Sequence, residues 1–216
     1  GLGSSAAVMA AATAAVGKLL DAPLSRDDIF RIALEAERLV HGTPSGIDPA
    51  ISTYGGAILF RKDKGFTPLE MEVDLPLVIG DTRIEHSTGE LVGMVREVRE
   101  QFPSVINPII KTGGRVALRA AKALEEGELE VIGKLMNINH ALLCSLGVSN
   151  ERIERLVYAS RRAGALGAKL TGAGGGGCMV ALALPEDLER VAEAIQHAGG
   201  APLIARRSRE GVRVER

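Results

Sequence analysis

Seven residues, Gly1-Leu2-Gly3-Ser4-Ser5-Ala6-Ala7, constrain this chain more than any other stretch. Two glycines let the backbone bend tightly, because without a Cβ they accept dihedrals that other residues resist. The alanine-rich run that follows (Ala6, Ala7, Ala10, Ala11, Ala12, Ala14, Ala15) has high helix propensity. A Gly/Ser turn opening straight into a helix aims unpaired N–H groups and the positive dipole end at one point, an anion site whose usual occupant is phosphate. The hydroxyls of Ser4 and Ser5 can add a hydrogen bond or an oxygen ligand for magnesium. A Walker-type loop is excluded, because no Gly-Lys-Ser/Thr follows. Gly1-x-Gly3-x-x-Ala6 fits a dinucleotide fingerprint loosely. That fingerprint needs a strand before it and a strand-end acid about 20 residues on, whereas Asp21-Ala22-Pro23 reads as a turn. Alone, the stretch reads first as an ordinary helix N-cap.

The 216 residues suffice for one large or two small domains, and 46% of them are hydrophobic. A formal net charge of −1 supplies no field toward nucleic acid or membrane, and 3% aromatics supply no stacking platform for single strands. No apolar run reaches spanning length. Cys144 and Cys178 stand far apart without metal spacing, which suits a reducing, cytoplasmic setting.

Along the chain, a first helix is expected over 4–20. A second follows, with Ser25 as N-cap, Asp27 and Asp28 in its first turn, and Ile29, Ile32, Ala33, Ala36, Leu39 and Val40 on its buried face. Glu37 lies at the edge of that face and reads, by itself, as a solvated carboxylate. The stretch 41–49 is dense in turn formers, and Pro49 biases Asp48 toward extended backbone. A strand over 57–60 and a charged hairpin or linker over 61–65 lead to a change of character at 68–75. We therefore place a domain boundary between residues 72 and 73. Beyond it we expect a strand over 75–80, a polar loop over 81–88, and helices over 90–101, 108–124, 128–146 and 150–163. A strand over 178–184, a helix over 186–197 and closing strands over 202–205 and 212–215 complete the chain. Five glycines between Gly172 and Gly177 mark a tight turn, or a place where a ligand or another backbone comes very close. The class is α+β with a mostly antiparallel sheet. The terminal arginines read as a solvated face.

Three stretches in this order, Gly1 to Ala7, Glu37 to Asp48, and Lys169-Leu-Thr-Gly-Ala-Gly-Gly-Gly-Gly-Cys178, resemble the small-molecule kinases named for galactose, homoserine, mevalonate and phosphomevalonate. Within that superfamily, Glu37-Arg38-Leu39-Val40-His41-Gly42-Thr43-Pro44-Ser45-Gly46-Ile47-Asp48 resembles mevalonate kinases. The resemblance implies a two-domain fold: the remainder of an N-terminal α+β domain over 1–72, then a ferredoxin-like C-terminal domain with extra helices over 73–216. It implies ATP and Mg²⁺ as cofactors, mevalonate as the small-molecule partner, neither nucleic acid nor membrane, and a homodimer. By position it implies nucleotide contacts at Gly1, Leu2, Gly3, Ser4, Ser5, Ala6, Gly172, Ala173, Gly174 and Gly175, and magnesium at Ser5 and Glu37. It implies Asp48 as the catalytic carboxylate, with Val40, His41, Thr88 and Ala173 on the substrate side. The implied reaction is phosphorylation of the primary hydroxyl of mevalonate. The alternatives are phosphomevalonate kinase, another kinase of the superfamily, or a nucleotide-binding module without turnover. The superfamily also carries strands ahead of the phosphate loop, with a lysine that pairs with the catalytic aspartate. These are not among the 216 residues, so the implied activity belongs to the full-length protein and the isolated chain is expected to be weak.

Overall fold

The computed structural model describes residues 2–41, 45–61, 63–71, 73–85 and 88–215, with the side chains of Val40 and His41 excepted. Two compact units result: Gly3–Met71 with Ser208–Arg216, and Gly1–Leu2 with Glu72–Arg207. No helix among the described residues is long and apolar enough to cross a membrane.

The first unit holds α1 (Ser4–Leu19), α2 (Arg26–His41), α3 (Ile47–Tyr54) and an antiparallel hairpin of β1 (Ile58–Arg61) and β2 (Gly65–Pro68). Ser25 and Asp28 close the start of α2 reciprocally. The Ser25 N–H donates to the Asp28 carboxylate (3.1 Å), and the Asp28 N–H donates to Ser25 Oγ (3.1 Å). Ala10, Ile29 and Ala33 form the small core where α1 and α2 meet. Ile32 and Leu39, expected on the buried face of α2, are 46% and 90% exposed. Glu37 takes the buried place instead, two turns on from Ile29. Helix α3 is absent from the sequence reading. Asp48 and Pro49 sit in its first turn, where a proline costs nothing because that N–H has no intrahelical acceptor. Asp48 is therefore helical, not extended. Phe30, Tyr54 and Phe66 pack with ring centroids 4.9–5.9 Å apart and tie the hairpin to α2 and α3. Burial, and the Tyr54 O–H bond to Asp27, push the phenol up to about 12.

The strand expected over 212–215 is irregular chain. Val212 N–H donates to Ser52 O (2.9 Å), and Gly56 N–H donates to Ser208 O (3.0 Å), so the last residues pack on α3 within the first unit. Backbone approaches backbone so closely here that a Cβ on Gly211 would lie 2.2 Å from Thr53 O.

The second unit holds β3 (Leu77–Asp81), α4 (Thr88–Gln101), α5 (Pro103–Glu125), α6 (Leu129–Ser145), α7 (Glu151–Arg162), β4 (Gly167–Leu170), β5 (Cys178–Leu182), α8 (Leu188–His197) and β6 (Ala201–Ala205). Helix α5 starts earlier than expected, from Pro103, and carries Pro108 within it. The sheet order is β4-β5-β3-β6, with every neighbour antiparallel. This is the ferredoxin-like βαββαβ order, with four helices in the first crossover. Val78, Ile153, Leu156, Val157, Leu170, Met179, Val191 and Ile195 fill the core between sheet and helices.

Strand β4 lies at the sheet edge, and side chains satisfy its outward backbone groups. Asn137 Oδ1 accepts from Ala168 N–H (3.1 Å), and Asn137 Nδ2 donates to Leu166 O (3.3 Å). Arg161 donates to Ala168 O (2.7 Å), His140 Nδ1 accepts from Leu170 N–H (3.3 Å), and Lys169 Nζ donates to Leu170 O (2.6 Å). Helix α6 reaches the strand because glycine meets glycine: a Cβ on Gly167 would lie 2.1 Å from Gly133 O, and one on Gly133 would lie 2.5 Å from Leu166 C.

Gly133→Ala forces that contact apart and is expected to lower stability by about 1–3 kcal/mol, read from urea denaturation. Burial holds His140 below the ordinary histidine value of 6.5, so the ring is neutral in the fold. The unfolded chain therefore takes up that proton first as pH falls, and stability drops as pH falls below 6.5. Urea midpoints measured from about pH 8 to about pH 5 are expected to show this loss, and His140→Gln to flatten it over that range.

Candidate active site

Gly3 is the N-cap of α1, with φ at +74°, and no side chain caps the helix. The first helical bond runs from Ala7 N–H to Gly3 O (3.0 Å). The N–H groups of Ser4, Ser5 and Ala6 therefore point off the helix end without an acceptor among the described residues. Ser4 and Ser5 are exposed, whereas Ala6 is fully buried and anchors the turn. Asp48, in the first turn of α3, lies directly against this cap. A Cβ on Gly3 would stand 3.2 Å from Asp48 Cγ and 3.4 Å from its Oδ1. Only glycine permits both the left-handed dihedral and this approach. Two of the three sequence stretches thus converge within the first unit: a row of free N–H donors beside an exposed carboxylate. Glu37, one step from the end of the described α2 core, is 7% exposed rather than solvated. Gly1 lies outside the described residues, as do Gly42, Thr43 and Pro44. Val40 and His41 close α2, and nothing is described of their side chains.

The other expected residues belong to the second unit. Gly172, Gly174 and Gly175 have φ of +67°, +88° and +71°, and Ala173 lies between them in ordinary backbone. The turn is packed against other backbone. A Cβ on Gly174 would lie 2.1 Å from Val148 O, and one on Gly176 would lie 2.6 Å from Ile84 O. Both arms of the expectation are therefore separable by position: Gly174 and Gly176 serve close packing, while Gly172 is exposed. The N–H groups of Gly172, Ala173 and Gly174 have no partner among the described residues. Alternating signs of φ with free amides make a concavity that suits an anion. Thr88 begins α4 and is exposed, and Leu91, one turn on, covers Gly175. Leu2 is more than half exposed.

Sequence reasoning passed over Thr82, Asn150 and Lys169. Thr82 donates through both its N–H and Oγ1 to Gly177 O (2.8 Å each). Asn150 Nδ2 donates to Gly175 O (2.8 Å), while its Oδ1 accepts from Ile153 N–H (2.9 Å) and caps α7. Burial pushes the Lys169 ammonium down to about 8. Only the cap role of Asn150 was readable from its place before a helical pattern.

His140, Cys144 and Glu154 bring ligand atoms within 4.8 Å of one another. The geometry favours a hydrogen-bonded polar core over a metal centre. His140 Nδ1 already accepts from Leu170 N–H, so the ring proton sits on Nε2, 3.0 Å from the Glu154 carboxylate. A metal on Nε2 would move that proton to Nδ1, donor against donor. Cys144 donates to Glu154 (3.1 Å), and burial followed by this bond pushes its thiol up to about 11, away from the thiolate a metal needs. Burial pushes the Glu154 carboxyl up, but bonds from Ser149 and Cys144 with the nearby His140 outweigh it and hold it below its ordinary value.

Models of two families match the chain: the GHMP kinases N terminal domain over residues 1–56 and GHMP kinases C terminal over residues 120–201. A mevalonate kinase of Aeropyrum pernix is 38% identical over 218 residues, covering all of this chain and 67% of that protein. The chain belongs to the GHMP kinases. A second relative, the mevalonate kinase of Thermococcus gammatolerans, is 51% identical over 220 residues, all of this chain and 65% of that protein. The chain thus spans 65% of the length of the curated relatives it matches first. Among solved structures, L. major mevalonate kinase in complex with R-mevalonate superposes with a TM-score of 0.91 at 32% identity, covering 97% of this chain and 67% of that one. Lactococcus lactis galactokinase complexed with galactose, at 20% identity and a TM-score of 0.71, shares the fold.

Gly3→Ala puts a Cβ into Asp48 and forces a left-handed dihedral at roughly 1–2 kcal/mol. It is expected to displace Asp48 and to lower stability by about that amount, read from urea denaturation followed by circular dichroism.

Proposed function

We propose that this GHMP kinase transfers the γ-phosphoryl group of ATP to the primary hydroxyl of mevalonate. The observation that carries the reading is the contact of Asp48 with the Gly3 cap, which sets a carboxylate beside free N–H donors at a helix start. The identity of about half the residues to mevalonate kinases favours mevalonate among the acceptors of the superfamily. The two unpaired cysteines suit a reducing cytoplasm, and a homodimer is part of the same reading.

Phosphoryl transfer asks the protein for positioning and for charge neutralisation rather than covalent chemistry. In this reading the amides of Ser4, Ser5 and Ala6 hold the phosphate oxygens, each donor fixed by the helix and needing no reorganisation during the reaction. Asp48 orients the acceptor hydroxyl and takes its proton as the oxygen attacks phosphorus. Ser5 offers an exposed hydroxyl and Glu37 a nearly buried carboxylate, hard oxygen donors that fit Mg²⁺. The ion would neutralise charge on the nucleotide phosphates. In the second unit, the free amides of Gly172 and Ala173 and the exposed Thr88 hydroxyl are polar groups suited to a small-molecule ligand.

ADP release is measured with MgATP and, in turn, mevalonate, phosphomevalonate, homoserine and galactose, on the 216 residues and on a chain extended to the length of its relatives. Turnover on mevalonate is expected, and Asp48→Ala is expected to lower it by roughly 10²–10⁴. Preference for another acceptor, or full activity in Asp48→Ala, overturns the reading.

A further inference from the structure

The glycine turn between β4 and β5 has almost no conformational preference of its own. Gly172, Gly174, Gly175, Gly176 and Gly177 all take positive φ, a pattern that such a run in isolation would populate among many others. Its shape is therefore imposed by its contacts. Gly175 N–H donates to Val148 O (2.8 Å), Gly177 N–H donates to Ile84 O (2.9 Å), and Thr171 N–H donates to Cys178 O (3.1 Å). These are backbone bonds that no substitution removes cleanly. Thr82 and Asn150 supply the side-chain bonds, Thr82 at the end of the glycine run (Gly177 O) and Asn150 within it (Gly175 O).

Asn150 differs from Thr82 in doing two jobs with two separate atoms. Its Oδ1 accepts from Ile153 N–H and caps α7, and its Nδ2 donates to Gly175 O. The cap needs an acceptor only, which aspartate or serine supplies as well as asparagine. The bond to Gly175 needs a donor, and the amide carries donor and acceptor on two separate atoms. We propose that Asn150 is a positioning residue for phosphoryl transfer: its amide locks the glycine turn so that the free N–H groups of Gly172 and Ala173 stand in one fixed arrangement for a ligand. The inference rests on the reading of this turn as part of the kinase site. Asn150 touches neither substrate nor nucleotide in that reading and acts through Gly175 alone.

Asn150→Asp separates the two jobs. Its carboxylate keeps the cap and sits well at a helix start, but it has no donor and faces the Gly175 carbonyl. Thr82→Val removes the other side-chain bond and keeps the Thr82 N–H bond to Gly177, so it serves as the second variant. Two readouts are taken on the full-length protein: amide hydrogen exchange across 171–177 and at Ile153, and kcat and KM for the acceptor. The expected result for Asn150→Asp is exchange roughly tenfold faster across the turn, with Ile153 still protected. Alongside it, kcat and kcat/KM should fall together by roughly tenfold, the pattern of a lost transition-state interaction. A residue serving stability alone would lower the melting temperature and leave kcat of the folded enzyme unchanged. Unchanged exchange across the turn overturns the proposal, and so does faster exchange with wild-type kcat. If wild-type protein phosphorylates no acceptor, the kinase reading fails first. Exchange then still shows whether Asn150 holds the turn, but the positioning role in transfer falls with that reading.

Discussion

The contact of α6 with the edge of the sheet is the interaction on which most of the second unit depends. Gly133 and Gly167 bring helix and strand backbones together at a distance that no side chain allows. At that distance Asn137 and His140, one turn apart on α6, reach the outward amides of Ala168 and Leu170. Arg161 and Lys169 take the carbonyls between them. Each buried amide left without a partner would cost about 1–3 kcal/mol, so the edge is stable only with this set in place. The protonation states follow. His140 must stay neutral to accept from Leu170, which leaves its other nitrogen to face Glu154 at 3.0 Å, and Glu154 stays ionised under the bonds from Cys144 and Ser149.

The same contact fixes where the glycine turn begins, because β4 ends at Leu170 and the turn starts at the next residue. A run so rich in glycine stores no shape of its own. Its geometry is borrowed from Val148, Asn150, Thr82, Ile84 and Leu91, which belong to a loop, a helix cap, a strand end, a second loop and α4. The first unit uses one glycine differently. Gly3 gives α1 an end with no side-chain cap and admits Asp48 against it, so an ordinary helix start becomes a set of free donors beside a carboxylate.

Much of this was legible in the residues. Ser25 followed by Asp28 announces a helix start, and the structure has the reciprocal bonds that such a pair makes. The long apolar periodicities marked α6, α7 and α8, and the run from Cys178 marked β5. Elements went astray where local signals conflict. Pro49 argued against a helix at Asp48, yet the first turn of α3 accepts it. Val212 and Val214 looked like a strand, but that segment finds its hydrogen-bond partner at the end of α3 and no strand to pair with. Glu37 read as a solvated carboxylate because periodicity assigns faces, and tertiary packing turned α2 so that Ile32 and Leu39 face solvent.

By itself the sequence determined the membership in a kinase family, the Gly/Ser start of α1 and the α+β class. These depend on residue identity and short-range spacing, which backbone sterics and helix periodicity translate directly. Only the tertiary structure decided that Asp48 meets Gly3, that Asn137 and His140 complete a strand edge, and that Asn150 holds Gly175. Those pairs are separated in the chain by 45, 31, 30 and 25 residues, and no local preference carries information across such distances. They form because burying polar backbone is costly unless a partner arrives, and packing decides which side chain is near enough to be that partner.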